Sequence, residues 1–517
     1  MQAATRRAPY TLYPQGMRRA RARANPAVRV TQETAGNPPA GSTKEQWERA
    51  GGALSKEIAM MSATELVALY RRKKLSPVEA ARAALAQIAA HNSRLNAFNL
   101  VDEAAALAAA RRAEARWRKG KPLGPVDGVP ASVKDLLLAK GWPTRRGSKA
   151  IDPNQPWIED APAVARLREG GAVLLGKTTT PEFGWKGVTD SPLTGITRNP
   201  WNPRMTPGGS SGGAAVAAAT GMGALHLGTD GGGSIRIPAG FTGIFGFKPS
   251  YGRVPAYPPS PFVTVAHTGP MTRTVEDAAL LLTVIARPDT RDFYALPDDG
   301  CDYRKGLGAG IKGLRVAFAP TLGGRHVEPE VAGLVAKAAK AFKALGARLS
   351  EAAPDLGNYG EVFRPFWFAG AANLLSQFAP EQKPLMDSGL IAVAEEGARI
   401  TMAGYFAATK AREAMGLAMA AFHQRYDLLL LPTLPLPAFE AGRDTPMTSA
   451  GETWVDWTPF TYPFNLTKQP AATVPCGLTT AGLPVGLQIV GRLYDDMTVL
   501  RAARAFEAAH PWKLPEI

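Results

Sequence analysis

Only two cysteines occur in 517 residues, Cys301 and Cys476, and 175 positions separate them. That scarcity excludes a disulfide framework and a cysteine-based metal site. Long apolar runs are also missing: none approaches the roughly 18 residues a membrane helix needs, so the expectation is a soluble, cytoplasmic protein with no membrane partner. Histidine is scarce, limited to His91, His226, His267, His326, His423 and His510. Acid is absent from the first 32 residues, which hold seven Arg interspersed with Pro and Ala. Such a stretch cannot bury enough apolar surface to fold alone. It also lacks the hydrophobic segment of a secretory signal, and no apolar stretch follows Arg18-Arg19 as a twin-arginine signal requires. Residues 1–55 therefore read as an Arg-rich, disordered extension or a start assigned too early, and residues 56–517 as the folded part.

What is present is ordinary globular material: 45 % hydrophobic and 20 % charged residues, ample for a large core. The net charge of +16 invites a nucleic-acid reading. Residues 1–50 alone hold eight Arg and one Lys against three Glu, so the excess is diluted elsewhere and no nucleic-acid partner is expected.

The chain is organised around Thr206 to Ser250. A Gly-Gly-Ser-Ser-Gly-Gly turn, Gly208 to Gly213, precedes the helix-forming run Ala214 to Ala219. An apolar strand candidate, Ala224 to Leu227, leads into Thr229-Asp230-Gly231-Gly232-Gly233-Ser234. Glycine lets backbone amides approach a ligand closely. Three of them before a serine suggest a nest of N–H groups aimed at an oxygen beside a hydroxyl. Upstream, Gly128 to Leu136 reads as a short apolar strand carrying Lys134 with few other charges. A lysine acts as a base only when neutral, so it must sit where burial or positive potential lowers its pKa; the alternative is a strand-end lysine with its head in water.

In order and spacing, these motifs resemble the amidase signature family, serine hydrolases with a Ser-cisSer-Lys triad, from about Met60 to the C-terminus. The resemblance implies that Ser234 is the nucleophile, that Ser210 follows a non-proline cis peptide and relays protons, and that Lys134 of Val133-Lys134-Asp135 is the base. It implies an oxyanion hole of backbone N–H groups around Gly231, Gly232, Gly233 and Ser234, and a supporting hydrogen-bond network of Ser211, Thr229, Asp230 and Arg236. The expected reaction is hydrolysis of carboxylic amides, with esters or carbamates as further substrates, and it needs no metal or organic cofactor. Phe366-Trp367-Phe368 and Trp454 to Phe460 fall in regions that line the family's pocket and would favour apolar or aryl groups; core packing explains them equally. Gly176-Lys177-Thr178-Thr179-Thr180-Pro181-Glu182-Phe183 and Asn199-Pro200-Trp201-Asn202 also match, as scaffold or substrate contact. A homodimer is compatible with the resemblance. Its alternative is a partner-dependent component of a glutamyl-tRNA amidotransferase, although 388–425 lacks the pattern that component carries there.

Three other motif matches compete. Gly171 to Thr178 fits a phosphate loop, but Ala172 to Leu175 reads as a buried strand where a flexible turn is needed. Gly308 to Gly313 fits G-x-G-x-x-G with its strand on the wrong side. Gly208 to Gly212 fits the nucleophile elbow of α/β-hydrolases, which would make Ser210 the nucleophile of an esterase with a histidine partner.

Capping boxes at Ser62 and Ser76 predict helices over about 62–73 and 77–91, and an Ala-rich run predicts one over 102–119. Asp160 reads as the cap of a short helix ending at Gly170-Gly171, and Thr274 as the cap of one reaching about Ala286. Strands are expected at 314–319, 347–351, Asp427 to Thr433 and Val485 to Val490, and helices at about 328–345, 359–378, 388–425 and 495–510. This alternation predicts an α/β fold, a central mixed sheet covered by helices on both faces. The resemblance makes it a single large domain, where length alone suggests about three.

Overall fold

The computed structural model describes residues 55–446 and 453–517; the expected Arg-rich extension lies outside them. In chain order the described strands are β1 (Phe98–Val101), β2 (Pro130–Lys134), β3 (Val173–Thr178), β4 (Asp190–Ser191), β5 (Gly195–Ile196), β6 (Leu225–Asp230), β7 (Phe245–Lys248), β8 (His267–Thr272), β9 (Arg315–Phe318), β10 (Arg348–Glu351), β11 (Leu428–Pro432), β12 (Ala471–Leu478) and β13 (Pro484–Gly491). β4 and β5 form a separate two-stranded ribbon. The other eleven make one mixed sheet, in the order β1-β3-β2-β6-β8-β7-β12-β13-β11-β9-β10. β3, β2 and β6 run parallel, as do β11, β9 and β10, and the strands between them are antiparallel. One continuous sheet from Phe98 to Gly491 makes a single large α/β domain. Among the described residues no helix is long and apolar enough to cross a membrane.

The caps read from sequence set the N-terminal layer. Ser62 and Ser76 each accept from the backbone three residues on, while Glu65 and Glu79 reach back, starting helices Ala63–Arg71 and Pro77–Leu95. Asp102 caps Glu103–Arg118, and Thr274 caps the almost wholly buried Val275–Ile285. Two expectations need correction. The helix Pro162–Glu169 starts from Ala161 without a side-chain cap; Asp160 instead accepts from the Lys140 N–H and from Arg168. The stretch 388–425 is two helices, Ser388–Gly397 and Met402–Arg425, the second capped by Thr401.

β1, β7, β8, β12 and the helix Arg236–Thr242 are not apparent from sequence, and most share one cause. Glycine and proline normally punctuate structure, yet here glycine provides clearance. A Cβ at Gly246 of β7 would meet Ala239 Cβ at 2.6 Å, and one at Gly269 of β8 would meet Phe247 O at 2.3 Å. The helix Arg236–Thr242 tolerates Pro238 because it falls in the first turn, where no intrahelical N–H bond is lost. This helix packs against β7, β12 and β13 and fixes where its preceding turn, with Ser234, stands.

Candidate active site

Two parallel neighbours, β2 and β6, pair Val133 with Leu227, which sets Lys134 at the end of β2 beside Thr229 near the end of β6. Two turns approach them, one before the wholly buried helix Gly212–Ala219 and one before Arg236–Thr242. They are joined by the Ser211 N–H donating to Ser234 O at 3.1 Å. The Gly209–Ser210 peptide is cis. Gly208 has φ +74° and a Cβ there would meet Ile237 Cγ2 at 2.9 Å, so the turn requires glycine.

Lys134 is fully buried, and its Nζ contacts three hydroxyls: Ser210 Oγ at 2.7 Å, Ser211 Oγ at 2.8 Å and Thr229 Oγ1 at 2.9 Å. Burial pushes its pKa well below the ordinary 10.5, and Asp230 is the charge that opposes the shift. Ser211 Oγ also accepts from the Thr229 N–H at 3.2 Å and donates to Thr229 O at 3.0 Å. Ser210 Oγ is hydrogen-bonded to Lys134 alone, and Ser234 Oγ to no protein group among the described residues.

Asp230 and Arg236 form a buried ion pair. Asp230 Oδ2 accepts from Arg236 Nε at 2.9 Å and Oδ1 from Arg236 Nη2 at 2.9 Å and Asn465 Nδ2 at 2.9 Å. Burial raises the Asp230 carboxyl, but Arg236, Lys248 and Asn465 together bring it below the usual carboxylate range. Arg236 further donates to Thr461 O, Gln488 Oε1 and Asn465 Oδ1. Thr461, Asn465 and Gln488 had no local signal in the sequence, because they reach the site from more than 220 positions away.

The glycine nest needs one correction. The Gly233 N–H donates to Asp230 Oδ1 at 2.8 Å, since an ionised carboxylate three residues upstream captures the nearest amide. The amides of Gly231, Gly232 and Ser234 carry no such bond among the described residues. Aromatic rings pack directly on the nest: a Cβ at Gly231 would meet Trp367 Cζ3 at 2.8 Å, and one at Gly232 would meet Trp454 Cη2 at 2.6 Å.

A cavity of about 100 Å³ opens between Ser210, Ser234, Phe183, Phe262 and Trp367. Trp367 and Phe262 stack with centroids 3.7 Å apart, and Trp367 Nε1 donates to Trp185 O at 2.9 Å. Of the aromatics singled out in the sequence, Trp367 lines the cavity and Trp454 supports the nest. Phe366 packs on Tyr405 and Arg412, Phe368 lies under Arg364, and Trp457 stacks on Phe241. Phe262 stands in a proline-rich loop without a recognisable motif, and residues 256–262 of that loop line the cavity.

Of the other matched segments, Phe183 lines the cavity, and Thr179, Asn199 and Lys177 are scaffold. Thr179 Oγ1 bonds Thr197 Oγ1, and Asn199 Nδ2 donates to Thr206 O and Phe241 O, holding the turn ahead of Ser210. Lys177, in the phosphate-loop match, is buried in β3 and donates to Leu137 O at 2.6 Å and Thr144 Oγ1 at 2.7 Å. Burial pushes it down to about 8 despite Asp135 at 3.4 Å. None of the six histidines hydrogen-bonds to Ser210 or Ser234: His226 is on Ser132 Oγ, His267 on Val265 O and His423 on Tyr426 O.

Comparison with known proteins adds independent findings. A family model described as Amidase matches residues 79–500. An acylamidase of Rhodococcus erythropolis is 40 % identical over 459 residues, spanning 87 % of this chain and 96 % of that protein. A glutamyl-tRNA(Gln) amidotransferase subunit of Myxococcus xanthus (strain DK1622) is 37 % identical over 482 residues, 88 % of this chain and 98 % of that protein. Among solved structures, a bacterial aryl acylamidase of the amidase signature enzymes superposes with a TM-score of 0.81 at 32 % identity, covering 87 % of this chain and 96 % of the other. The 6-aminohexanoate cyclic dimer hydrolase complexed with substrate gives 0.80 at 28 % identity, covering 89 % and 99 %.

Proposed function

This chain belongs to the Amidase family and is an amide hydrolase, and we propose that it works through an acyl-enzyme on Ser234 with Lys134 as the base and Ser210 as the relay. The carrying observation is the buried Lys134 Nζ, 2.7 Å from Ser210 Oγ and bonded to hydroxyls rather than to a carboxylate.

Proton positions at the lysine support the direction of transfer. Ser211 directs its own proton at Thr229 O, so towards Lys134 it is an acceptor. A neutral amine has two N–H donors and one lone pair. Donating to Ser211 and Thr229 leaves the lone pair facing Ser210. Ser210 then passes its proton to Lys134 while accepting that of Ser234, whose oxygen attacks the carbonyl carbon. The oxyanion rests on the N–H groups of Gly231, Gly232 and Ser234, an arrangement worth several kcal/mol of barrier. As the C–N bond breaks, Lys134 returns the proton through Ser210 to the leaving amine. Water repeats the sequence to release the acid. Asp230, tied to Arg236, holds the turn and opposes complete loss of the lysine's basicity.

Phe183, Phe262 and Trp367 favour an apolar or aryl substituent, with esters and carbamates as further substrates. The catalytic unit is residues 56–517, acting in the cytoplasm on a small-molecule amide by a scheme that uses no cofactor. The relatives that are amidotransferase subunits support a second reading, in which the chain works only with partner proteins. Turnover of a simple aryl amide by the isolated chain decides between them. A fluorophosphonate probe followed by peptide mass spectrometry tests the nucleophile: the adduct belongs on Ser234 and disappears in Ser234→Ala. An adduct on Ser210 would overturn the scheme in favour of a nucleophile elbow.

A further inference from the structure

A cleft of about 1170 Å³ lies along the helix Met402–Arg425, lined by one stripe of that helix from Thr409 to Gln424 and by residues 466–469 and 492–493. It shares no lining residue with the cavity at Ser234. Part of its wall is apolar: Leu417, Ala420, Leu466 and Leu493, with Leu417 74 % exposed.

The cleft also carries four cations, Arg315, Arg412, Lys468 and Arg492. Asp427 pairs with Arg315 at 2.9 Å and with Arg492 at 2.5 Å. Arg412 and Lys468 are half-buried, and neither has a carboxylate partner among the described residues; Glu413, the carboxylate on the wall, is exposed and bonds to neither. Arg412 donates from Nε to Leu466 O at 2.7 Å, from Nη1 to Thr264 Oγ1 at 2.6 Å and from Nη2 to Thr264 O at 3.0 Å, which leaves two of its five N–H groups. Lys468, held at φ +69°, sets Nζ 4.5 Å from the centre of the Tyr251 ring and makes no hydrogen bond among the described residues. Burial and then the Arg412 charge lower the Lys468 pKa. Burial lowers Arg412 as well, and the groups opposing that shift are the phenols of Tyr251, Tyr405 and Tyr294 rather than carboxylates. Charge withdrawn from water is normally paired. Two adjacent cations without a counterion, beside a leucine wall, ask for an anion that also brings hydrocarbon.

We propose that this cleft is a second ligand site, taking a small carboxylate with an apolar body, its carboxylate between Arg412 and Lys468 and its hydrocarbon on the leucines. A bare oxyanion would leave the leucines uncovered, and a neutral apolar molecule would leave the cations unpaired. Trace acetylation of the full chain with acetic anhydride, read by peptide mass spectrometry, reports each lysine separately, and benzoate is the probe. Benzoate should slow labelling of Lys468 at least fivefold, with half-protection near about 1 mM, and leave the exposed Lys410 unchanged. Benzoate held at Ser234 does not touch Lys468, so the two sites are read apart. Benzamide, of the same shape without the charge, should not protect, and inorganic phosphate should protect about tenfold more weakly than benzoate. At Gly416, on the cleft wall, an added Cβ meets no atom within 4 Å. Gly416→Leu therefore fills the cleft without straining the helix and should abolish the effect of benzoate on Lys468, with amide hydrolysis and the near-ultraviolet circular dichroism spectrum unchanged. Lys468 labelling indifferent to benzoate, equal protection by benzamide or by phosphate, or protection retained in Gly416→Leu overturns the proposal.

Discussion

Lys134 Nζ stands 2.7 Å from Ser210 Oγ across 76 positions of sequence. Nothing in either local segment enforces that distance. β2 carries the lysine to the bottom of the site, and the turn ahead of Gly212–Ala219 lowers the serine onto it. Thr229, on the adjoining strand, closes the third side.

The lysine must lose its proton to act. Burial holds its pKa well below 10.5, so kcat/KM for an amide rises with pH through that lowered value and then levels off. Arginine stays protonated at any workable pH, and Lys134→Arg should lose at least about a thousandfold in kcat, roughly 4 kcal/mol. An activated ester should suffer less, because its leaving group departs without the returned proton. Parent-like amide turnover by Lys134→Arg would remove the lysine from the mechanism.

Gly232→Ala tests the nest. The added carbon would meet Trp454 Cη2 at 2.6 Å and Phe363 Cζ at 3.0 Å, and those rings are wedged against each other and against Trp367. The backbone therefore shifts and its N–H leaves the oxyanion. We expect kcat to fall about 100-fold or more, the scale of one lost donor, with KM little changed. Adding Trp454→Leu should recover part of the loss. Steady-state kinetics of the three variants checks both points, and undiminished kcat in Gly232→Ala would take that amide out of the hole.

Stability against pH carries opposing contributions. Burial pushes Glu507 up to about 7 from 4.5 and Asp277 up to about 6 from 3.8. Each holds a proton that the unfolded chain releases, so its contribution is full below the ordinary carboxylate value and is lost as pH rises through the folded one. Burial pushes His226 down to about 3 and His423 to about 4 from 6.5. Their contribution is full above 6.5 and is lost as pH falls. Between 4.5 and 6.5 the two kinds offset. Glu507→Gln keeps an acceptor for the Val275 N–H, now received by Oε1 at 3.0 Å, and deletes one acid-side contribution. Relative to the parent it should lose about 1.4 kcal/mol for each pH unit lowered from about 7 towards 4.5. Denaturant titrations near pH 5 and near pH 7 measure this; an equal difference at both would refute it.

Sequence by itself determined the elements whose signals are local. Capping boxes at Ser62 and Ser76, the cap at Thr274, the buried strands around Val133, Leu174 and Leu430, and the two glycine-flanked serines depend on residues within a few positions of one another, where backbone hydrogen bonding and periodicity operate. Tertiary structure decided the rest. It alone showed that Gly246 in β7 is clearance for a helix and Gly269 in β8 clearance for the adjoining strand rather than breaks, since a missing side chain has meaning only beside the neighbour that fills its space. It gave the Gly233 amide to Asp230, selected Phe262 and Trp367 from many aromatics, and drew Thr461, Asn465 and Gln488 around Arg236. Those are contacts between distant segments, and the energy that makes them, burial of charge and of rings, exists only once the sheet has brought the segments together.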